Sequence, residues 1–119
     1  MDVFREFGFE AAHRLPNVPD GHKCGRLHGH SYRVEVRVRG DVDSASGMVI
    51  DFAEIKAAFA PLDDQLDHRY LNEVDGLDNP TAENLARWIW TRLAAVLPLT
   101  QVVVRETCTS GVAYTGDAA

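Results

Sequence analysis

The stretch HSYRVEVRVRG, residues 30–40, alternates apolar and charged side chains with the two-residue period of a β-strand. One face carries Tyr32, Val34, Val36 and Val38, and the other carries Arg33, Glu35, Arg37 and Arg39. This pattern predicts a strand with one face against the core and the other against solvent. His28 and His30 share the parity of the valines, so both imidazoles should project from the apolar face if the strand begins that early.

A second alternating segment precedes this strand in the chain. VFREFGFEAAHRL, residues 3–15, places Phe7, Phe9, Ala11 and His13 on one side of a predicted strand. The intervening PNVPDGHKCGRLHG, residues 16–29, is predicted to be a loop because of its prolines and glycines. A hairpin that closes through this loop would bring His13 beside His28 and His30.

Two helices are predicted in the middle and later parts of the chain. Asp51 is the expected N-cap of the first, with Glu54 completing a capping box, and Pro61 should kink or divide it. Thr81 should cap the second helix, and Pro98 should end it. The predicted apolar stripes are Phe52, Ile55, Phe59, Leu62 and Leu66 in the first helix, and Leu85, Trp88, Ile89, Leu93, Val96 and Leu97 in the second.

Two further strands, QVVVRETC (residues 101–108) and VAYTG (residues 112–116), complete the pattern. The predicted order is β-β-α-α-β-β, with no linker or repeat that would divide the chain. We therefore expect one α+β domain, residues 1–119, in which an antiparallel four-stranded sheet carries two helices on one face.

Composition narrows the class of protein. The net charge of −6 argues against a nucleic-acid-binding protein, which would show a basic surface. No apolar run approaches the roughly 20 residues that span a bilayer, and the chain shows no signal-peptide pattern. We therefore expect a cytoplasmic protein without a membrane partner, in which Cys24 and Cys108 stay reduced rather than forming a disulfide.

The histidines favour a metal site. Three neutral imidazoles from His13, His28 and His30, with no fourth protein ligand, would form an open zinc site. The alternative is one core histidine with a hydrogen-bonded ring and two exposed loop histidines. Cys24 leaves two possibilities open, because Cys-x3-His-x-His could make it a fourth ligand of a closed structural site. Its neighbours Lys23 and Arg26 would instead suit a thiolate that serves as base or nucleophile.

Two acidic residues outside this cluster are also candidates for function. Asp67 and His68 could act as an orienting carboxylate and a proton carrier, or simply form a solvated helix end. Glu106 shares the strand parity of Val102 and Val104, so its carboxylate would lie on an apolar face, where it needs a partner. A ligand with two adjacent N–H donors would satisfy it, and a position at the solvated rim is the alternative.

Six segments, taken together and in order, point to a known family: FEAAHRLP, HKCGRLHGHSY, GMVIDFAEIK, LDHRYLN, NPTAENLA and VRETCTSG. The chain resembles the 6-pyruvoyl-tetrahydropterin synthase superfamily over nearly its whole length. The three residues between Cys24 and His28 resemble the carboxy-forming bacterial branch, which belongs to the queuosine pathway. The resemblance implies that His13, His28 and His30 bind zinc, Cys24 is the catalytic base, Asp67 and His68 handle protons, and Glu106 anchors the amino-pyrimidine edge of a pterin.

The resemblance also implies an assembly and a reaction. The fold would be the tunnelling fold, in which strands of several subunits join into a barrel and trimers stack into a homohexamer with active sites between subunits. The reaction would be a zinc-dependent lyase reaction, with 7,8-dihydroneopterin triphosphate converted to 6-carboxy-5,6,7,8-tetrahydropterin, acetaldehyde and triphosphate. The alternatives are an earlier stop at 6-pyruvoyl-tetrahydropterin, or a non-catalytic zinc-binding domain with Cys24 as the fourth ligand. No role follows for Cys108.

Overall fold

The computed structural model describes residues 1–117. Seven principal elements follow one another along the chain: β1 (Asp2–His13), β2 (His28–Arg39), α1 (Phe52–Leu66), β3 (Arg69–Tyr70), α2 (Ala82–Leu93), β4 (Leu99–Arg105) and β5 (Gly111–Tyr114). Short 3-10 helices lie at Lys23–Gly25 and Leu71–Glu73. The strands form one mixed sheet in the order β3-β1-β2-β4-β5. The α+β class is confirmed, with one strand more than the sequence predicts.

The central pair of strands follows the predicted alternation. β1 and β2 are antiparallel, with Phe9 opposite Tyr32 and His13 opposite His28. Tyr32 and the three valines that share its face are all buried in the core. On the opposite face Glu35 is also buried, although the alternation predicts it to be exposed. Arg37 explains this, because its guanidinium donates to Glu35 Oε2 at 2.9 Å and pairs the carboxylate.

α1 begins at the predicted cap but differs from the prediction at two positions. Asp51 is the N-cap, and its side chain accepts a hydrogen bond from the Ala53 N–H. Pro61 does not divide the segment, because the helix continues through it to Leu66. A proline removes only one backbone hydrogen bond, and burial of Phe59, Leu62 and Leu66 supports both turns around it. Phe52, placed in the stripe by its spacing, is 55% exposed.

α2 also begins as predicted and ends earlier. The Thr81 side chain accepts from the Asn84 N–H at 3.1 Å, which confirms the N-cap. The helix ends at Leu93, well before Pro98. Val96 is consequently 66% exposed, so its inclusion in the buried stripe was wrong, whereas Leu97 is buried. No helix within residues 1–117 has the length and hydropathy needed to cross a membrane.

The additional strand, β3, is only two residues long and pairs with β1 in parallel, with Ala11 opposite Arg69 and Ala12 opposite Tyr70. Two residues carry no readable periodicity, so the alternation of the sequence could not reveal this strand. Its position matters for the site, because it holds the preceding Asp67 and His68 against the edge of β1.

Candidate metal centre and active site

Three imidazoles converge at one end of the β1–β2 pair. His13 ends β1, His28 begins β2 directly opposite it, and His30 follows two residues later on the same face. Their ring centroids are 4.6, 5.0 and 4.8 Å apart. The Nε2 atoms of His13 and His28 are 3.0 Å apart. The hairpin predicted from strand parity is therefore confirmed, and it brings all three rings together.

Backbone carbonyls orient two of these rings. His13 Nδ1 lies 2.8 Å from the carbonyl oxygen of Pro80, and His28 Nδ1 lies 2.7 Å from that of Arg26. Each carbonyl can only accept, so each Nδ1 carries a proton, and in the neutral ring each Nε2 then presents a lone pair. This arrangement is typical of metal-ligating histidines, whose second ring nitrogen donates to a backbone carbonyl or carboxylate.

The two lone pairs face each other in a buried site. His13 is fully buried, and His30 Nε2 is a buried atom without a hydrogen-bond partner within residues 1–117. Burial is the main cause that holds the pKa of His30 below its ordinary value, which favours the neutral form of this ring. Three imidazole nitrogens that converge on one point suit a bound cation. The residues present therefore fit a metal ion.

Glu106 supplies a fourth potential ligand atom to the same point. Its Oε1 lies 3.0 Å from His13 Nε2 and 3.3 Å from His30 Nε2. One ligand atom from each of the four residues lies within 4.8 Å of the other three. Parity predicted the face on which Glu106 lies but did not place it among the histidines.

Cys24 lies apart from this cluster. It belongs to the 3-10 turn Lys23–Gly25 and is half-buried. Its backbone N–H donates to His22 Nδ1 at 3.1 Å, and its carbonyl accepts from the Leu15 N–H at 2.9 Å. Its sulfur is not among the ligand atoms that converge, and both cysteines are free in the part of the chain that the structure describes.

Asp67 and His68 form a contact pair at the edge of β1. Asp67 Oδ2 lies 3.0 Å from His68 Nδ1. The Glu10 N–H donates to Asp67 Oδ1, and this bond, followed by the contact with His68, lowers the pKa of Asp67. A carboxylate near neutral pH therefore orients the imidazole. His68 and His30 both line a cavity of about 520 Å³, so the pair has access to the edge of the cluster.

The sequence gives no direct signal for the groups that orient the cluster. The Pro80 and Arg26 carbonyls are backbone atoms, and any residue type could supply them. Tyr32 could have been suspected, since it shares the face of His30 and its hydroxyl lies 3.1 Å from His13 Nδ1. The pKa of Tyr32 is raised mainly by burial and also by the charge of Glu106. The phenol therefore stays neutral beside the site.

Comparison with known proteins identifies the family. A sequence profile described as 6-pyruvoyl tetrahydropterin synthase matches residues 2–117. The chain is 49% identical, over 94% of its length and 91% of the relative, to the 6-carboxy-5,6,7,8-tetrahydropterin synthase of Synechocystis sp.. It is 37% identical to the human 6-pyruvoyl tetrahydrobiopterin synthase, over 97% of this chain and 91% of that protein.

The fold agrees with these matches. The structure of Caenorhabditis elegans 6-pyruvoyl tetrahydropterin synthase superimposes with a TM-score of 0.90 at 33% identity, covering 98% of this chain and 96% of that one. Similar sequence over nearly the full length and a similar fold, together with the histidine cluster, support one conclusion. The chain belongs to the 6-pyruvoyl tetrahydropterin synthase family of enzymes.

Proposed function

We propose that this enzyme converts 7,8-dihydroneopterin triphosphate and water to 6-carboxy-5,6,7,8-tetrahydropterin, with release of acetaldehyde and triphosphate. The proposed cofactor is zinc, and the proposed setting is queuosine biosynthesis in the cytoplasm. The observation that carries the proposal is the group of three oriented imidazoles with Glu106 beside them, in a chain closely similar to a 6-carboxytetrahydropterin synthase.

Zinc is the proposed metal because of the donor set. Three imidazoles and a fourth position that an oxygen ligand can occupy are typical of catalytic zinc sites. Zinc bound there would act as a Lewis acid toward the side-chain hydroxyls of the substrate. The carbonyls of Pro80 and Arg26 hold His13 and His28 in the tautomer that this role requires.

Distinct roles follow for the remaining residues. We propose that Cys24, as a thiolate, abstracts a proton from the substrate side chain. His68, held by Asp67 at 3.0 Å, exchanges protons through its other ring nitrogen. Glu106 accepts two parallel hydrogen bonds from the amino group and ring N–H of the pterin.

The distance of Cys24 from the cluster is consistent with a site completed by a neighbouring subunit. In one protomer the thiol does not converge with the metal ligands. We therefore propose that the protein is a homohexamer, a dimer of trimers, whose sheets join into a barrel and whose active sites lie between subunits. The outer strands β3 and β5 leave backbone groups available for such pairing.

A second candidate function is the formation of 6-pyruvoyl-tetrahydropterin, the activity in the name of the human relative. Two observations favour the carboxy product. Identity to the Synechocystis protein is higher, at 49% against 37%. The alignment with the human protein runs over 136 positions, more than the 119 residues of this chain, so the human protein carries insertions.

Product analysis tests the proposed function. Zinc-loaded protein incubated with 7,8-dihydroneopterin triphosphate should yield 6-carboxy-5,6,7,8-tetrahydropterin and acetaldehyde, because the side chain is cleaved after loss of triphosphate. Mass spectrometry of the pterin product and a separate assay for acetaldehyde measure this. Accumulation of 6-pyruvoyl-tetrahydropterin without acetaldehyde would assign the second candidate function instead.

Removing one imidazole should remove the metal. His28→Ala should lose bound zinc and activity together, because His28 supplies one of three lone pairs oriented toward the same point. Elemental analysis after dialysis measures the zinc content. His22→Ala is the matched control, since His22 lies in the same loop outside the cluster, and it should keep its zinc. A full equivalent of zinc in His28→Ala would refute the assignment.

Replacement of the cysteine separates catalysis from ligation. Cys24→Ala should retain zinc and lose most of its turnover, because the thiol is proposed as a base and lies outside the ligand cluster. Zinc content and kcat are measured on the same preparation. Cys108→Ala, which removes the other free thiol, should keep both. Loss of zinc from Cys24→Ala would support the structural zinc site with Cys24 as fourth ligand.

Glu106→Gln tests the pterin anchor. The substitution keeps the size of the side chain but places an NH2 donor against a substrate donor. The expected loss is about 2–4 kcal/mol in transition-state binding, or about 30- to 1000-fold in kcat/KM at saturating zinc. Steady-state kinetics of the zinc-saturated variant measure it. A value within about threefold of the wild-type kcat/KM would contradict the anchoring role.

A further inference from the structure

We propose that Glu106 alternates between two partners: it is the fourth ligand of the metal before substrate binds, and it moves to the pterin edge when substrate arrives. This inference rests on the proposed function, because it requires a metal and a pterin in the same site. It assigns to Glu106 a metal-binding role in addition to that of substrate anchor.

Two of the three distances from Oε1 to the imidazole nitrogens are those of a ligand set. In a tetrahedral site with bonds of about 2.0 Å, neighbouring ligand atoms lie about 3.3 Å apart. Glu106 Oε1 lies 3.0 Å from His13 Nε2 and 3.3 Å from His30 Nε2, and the His13 and His28 nitrogens are 3.0 Å apart. Glu106 therefore lies at a position that a fourth ligand would occupy.

A metal cation satisfies this arrangement more completely than a single proton does. If His13 were doubly protonated, its Nε2–H could donate to Glu106 or to His28 Nε2, both 3.0 Å away. His30 Nε2 would still be buried without a hydrogen bond, and a charged imidazolium would lie in a fully buried position. One metal cation satisfies the three nitrogens and the carboxylate oxygen at once.

Glu106 can also leave the cluster without rearranging the backbone. It lies one residue after β4, and its N–H is held by the carbonyl of Ser110 at 3.0 Å. The side chain is 27% exposed, and Oε1 makes both contacts with the histidines. Rotation about the side-chain bonds is sufficient to redirect the carboxylate.

The two roles compete for the same oxygen atoms. A pterin edge with two adjacent N–H donors takes both carboxylate oxygens in one planar contact, and we infer that Oε1 leaves the metal to make this contact. One metal–oxygen bond breaks, two hydrogen bonds form, and no proton is transferred. The coordination position so vacated is then available to the substrate hydroxyls. Metal binding and binding of the pterin ring alone should therefore be negatively coupled.

Zinc affinity tests the resting-state ligand. Loss of even an outer contact to a metal ligand typically weakens metal binding about 10- to 100-fold, so Glu106→Gln should bind zinc at least about tenfold more weakly than wild type. Competition with a chelator of known affinity measures this. Glu6→Gln is the control, because it also removes a negative charge but contacts Arg105 and not the cluster. It should remain within about threefold of wild type. Unchanged zinc affinity in Glu106→Gln would overturn the proposal.

The exchange itself is tested with cobalt(II)-loaded protein and pterin without a side chain. Fluorescence quenching monitors the saturation of the protein with pterin. In wild type, this saturation should change the visible cobalt spectrum because Glu106 leaves the metal. The same addition to cobalt-loaded Glu106→Gln should leave the spectrum unchanged. A change in both proteins would indicate direct binding of pterin to the metal, and a change in neither would show that Glu106 does not exchange. Either result overturns the proposal.

These outcomes are distinguishable from failure of the proposed function. If wild type forms the carboxy product and His28→Ala loses zinc, the proposed function stands whatever the affinity of Glu106→Gln. If wild type forms no pterin product, the proposed function fails, although the zinc affinities still decide whether Glu106 is a ligand.

Discussion

The antiparallel register of β1 and β2 is the constraint on which the site depends. Because His13 lies directly opposite His28, and His30 follows on the same face, the ladder of backbone hydrogen bonds sets the positions of all three rings. A shift of one residue would turn a strand's side chains to the other face and separate the imidazoles. The same register buries Tyr32 and the valines, so the pairing that packs the core also assembles the histidine cluster.

More distant parts of the chain complete what the hairpin begins. Pro80, just before the cap of α2, reaches His13 across 67 positions and determines which ring nitrogen carries the proton. β4 pairs with β2 and brings Glu106 to the histidines at its end. β3 holds Asp67 and His68 against β1. The site thus draws on the ends of several elements, and the packing of both α2 and β4 against the hairpin is required for it.

The chemistry of the cluster explains why a carboxylate is tolerated there. An unpaired carboxylate beside buried Val102 and Val104 would be costly, whereas one that shares the proposed metal with three imidazoles would be compensated. Cys24 is held by its backbone in a turn outside the cluster. The roles proposed for Cys24 as base and for the histidines as metal ligands therefore fall to residues that lie apart.

The sequence by itself determined the strand faces, the hairpin that joins His13 to His28 and His30, the caps Asp51 and Thr81, and the resemblance to a pterin synthase family. The strand faces, the hairpin and the caps follow from local periodicity and from residue types whose preferences act within a few positions. The resemblance follows from six sequence segments in order. The tertiary structure decided four other features. These are the end of α2 before Val96, the ion pair of buried Glu35 with Arg37, the short strand β3, and the carbonyls that orient the rings. The alternation of a strand indicates which face a side chain lies on, but not which residues pack against that face. The approach of Glu106 to His13 and His30 depends on contacts between residues far apart in the chain, which no local pattern records.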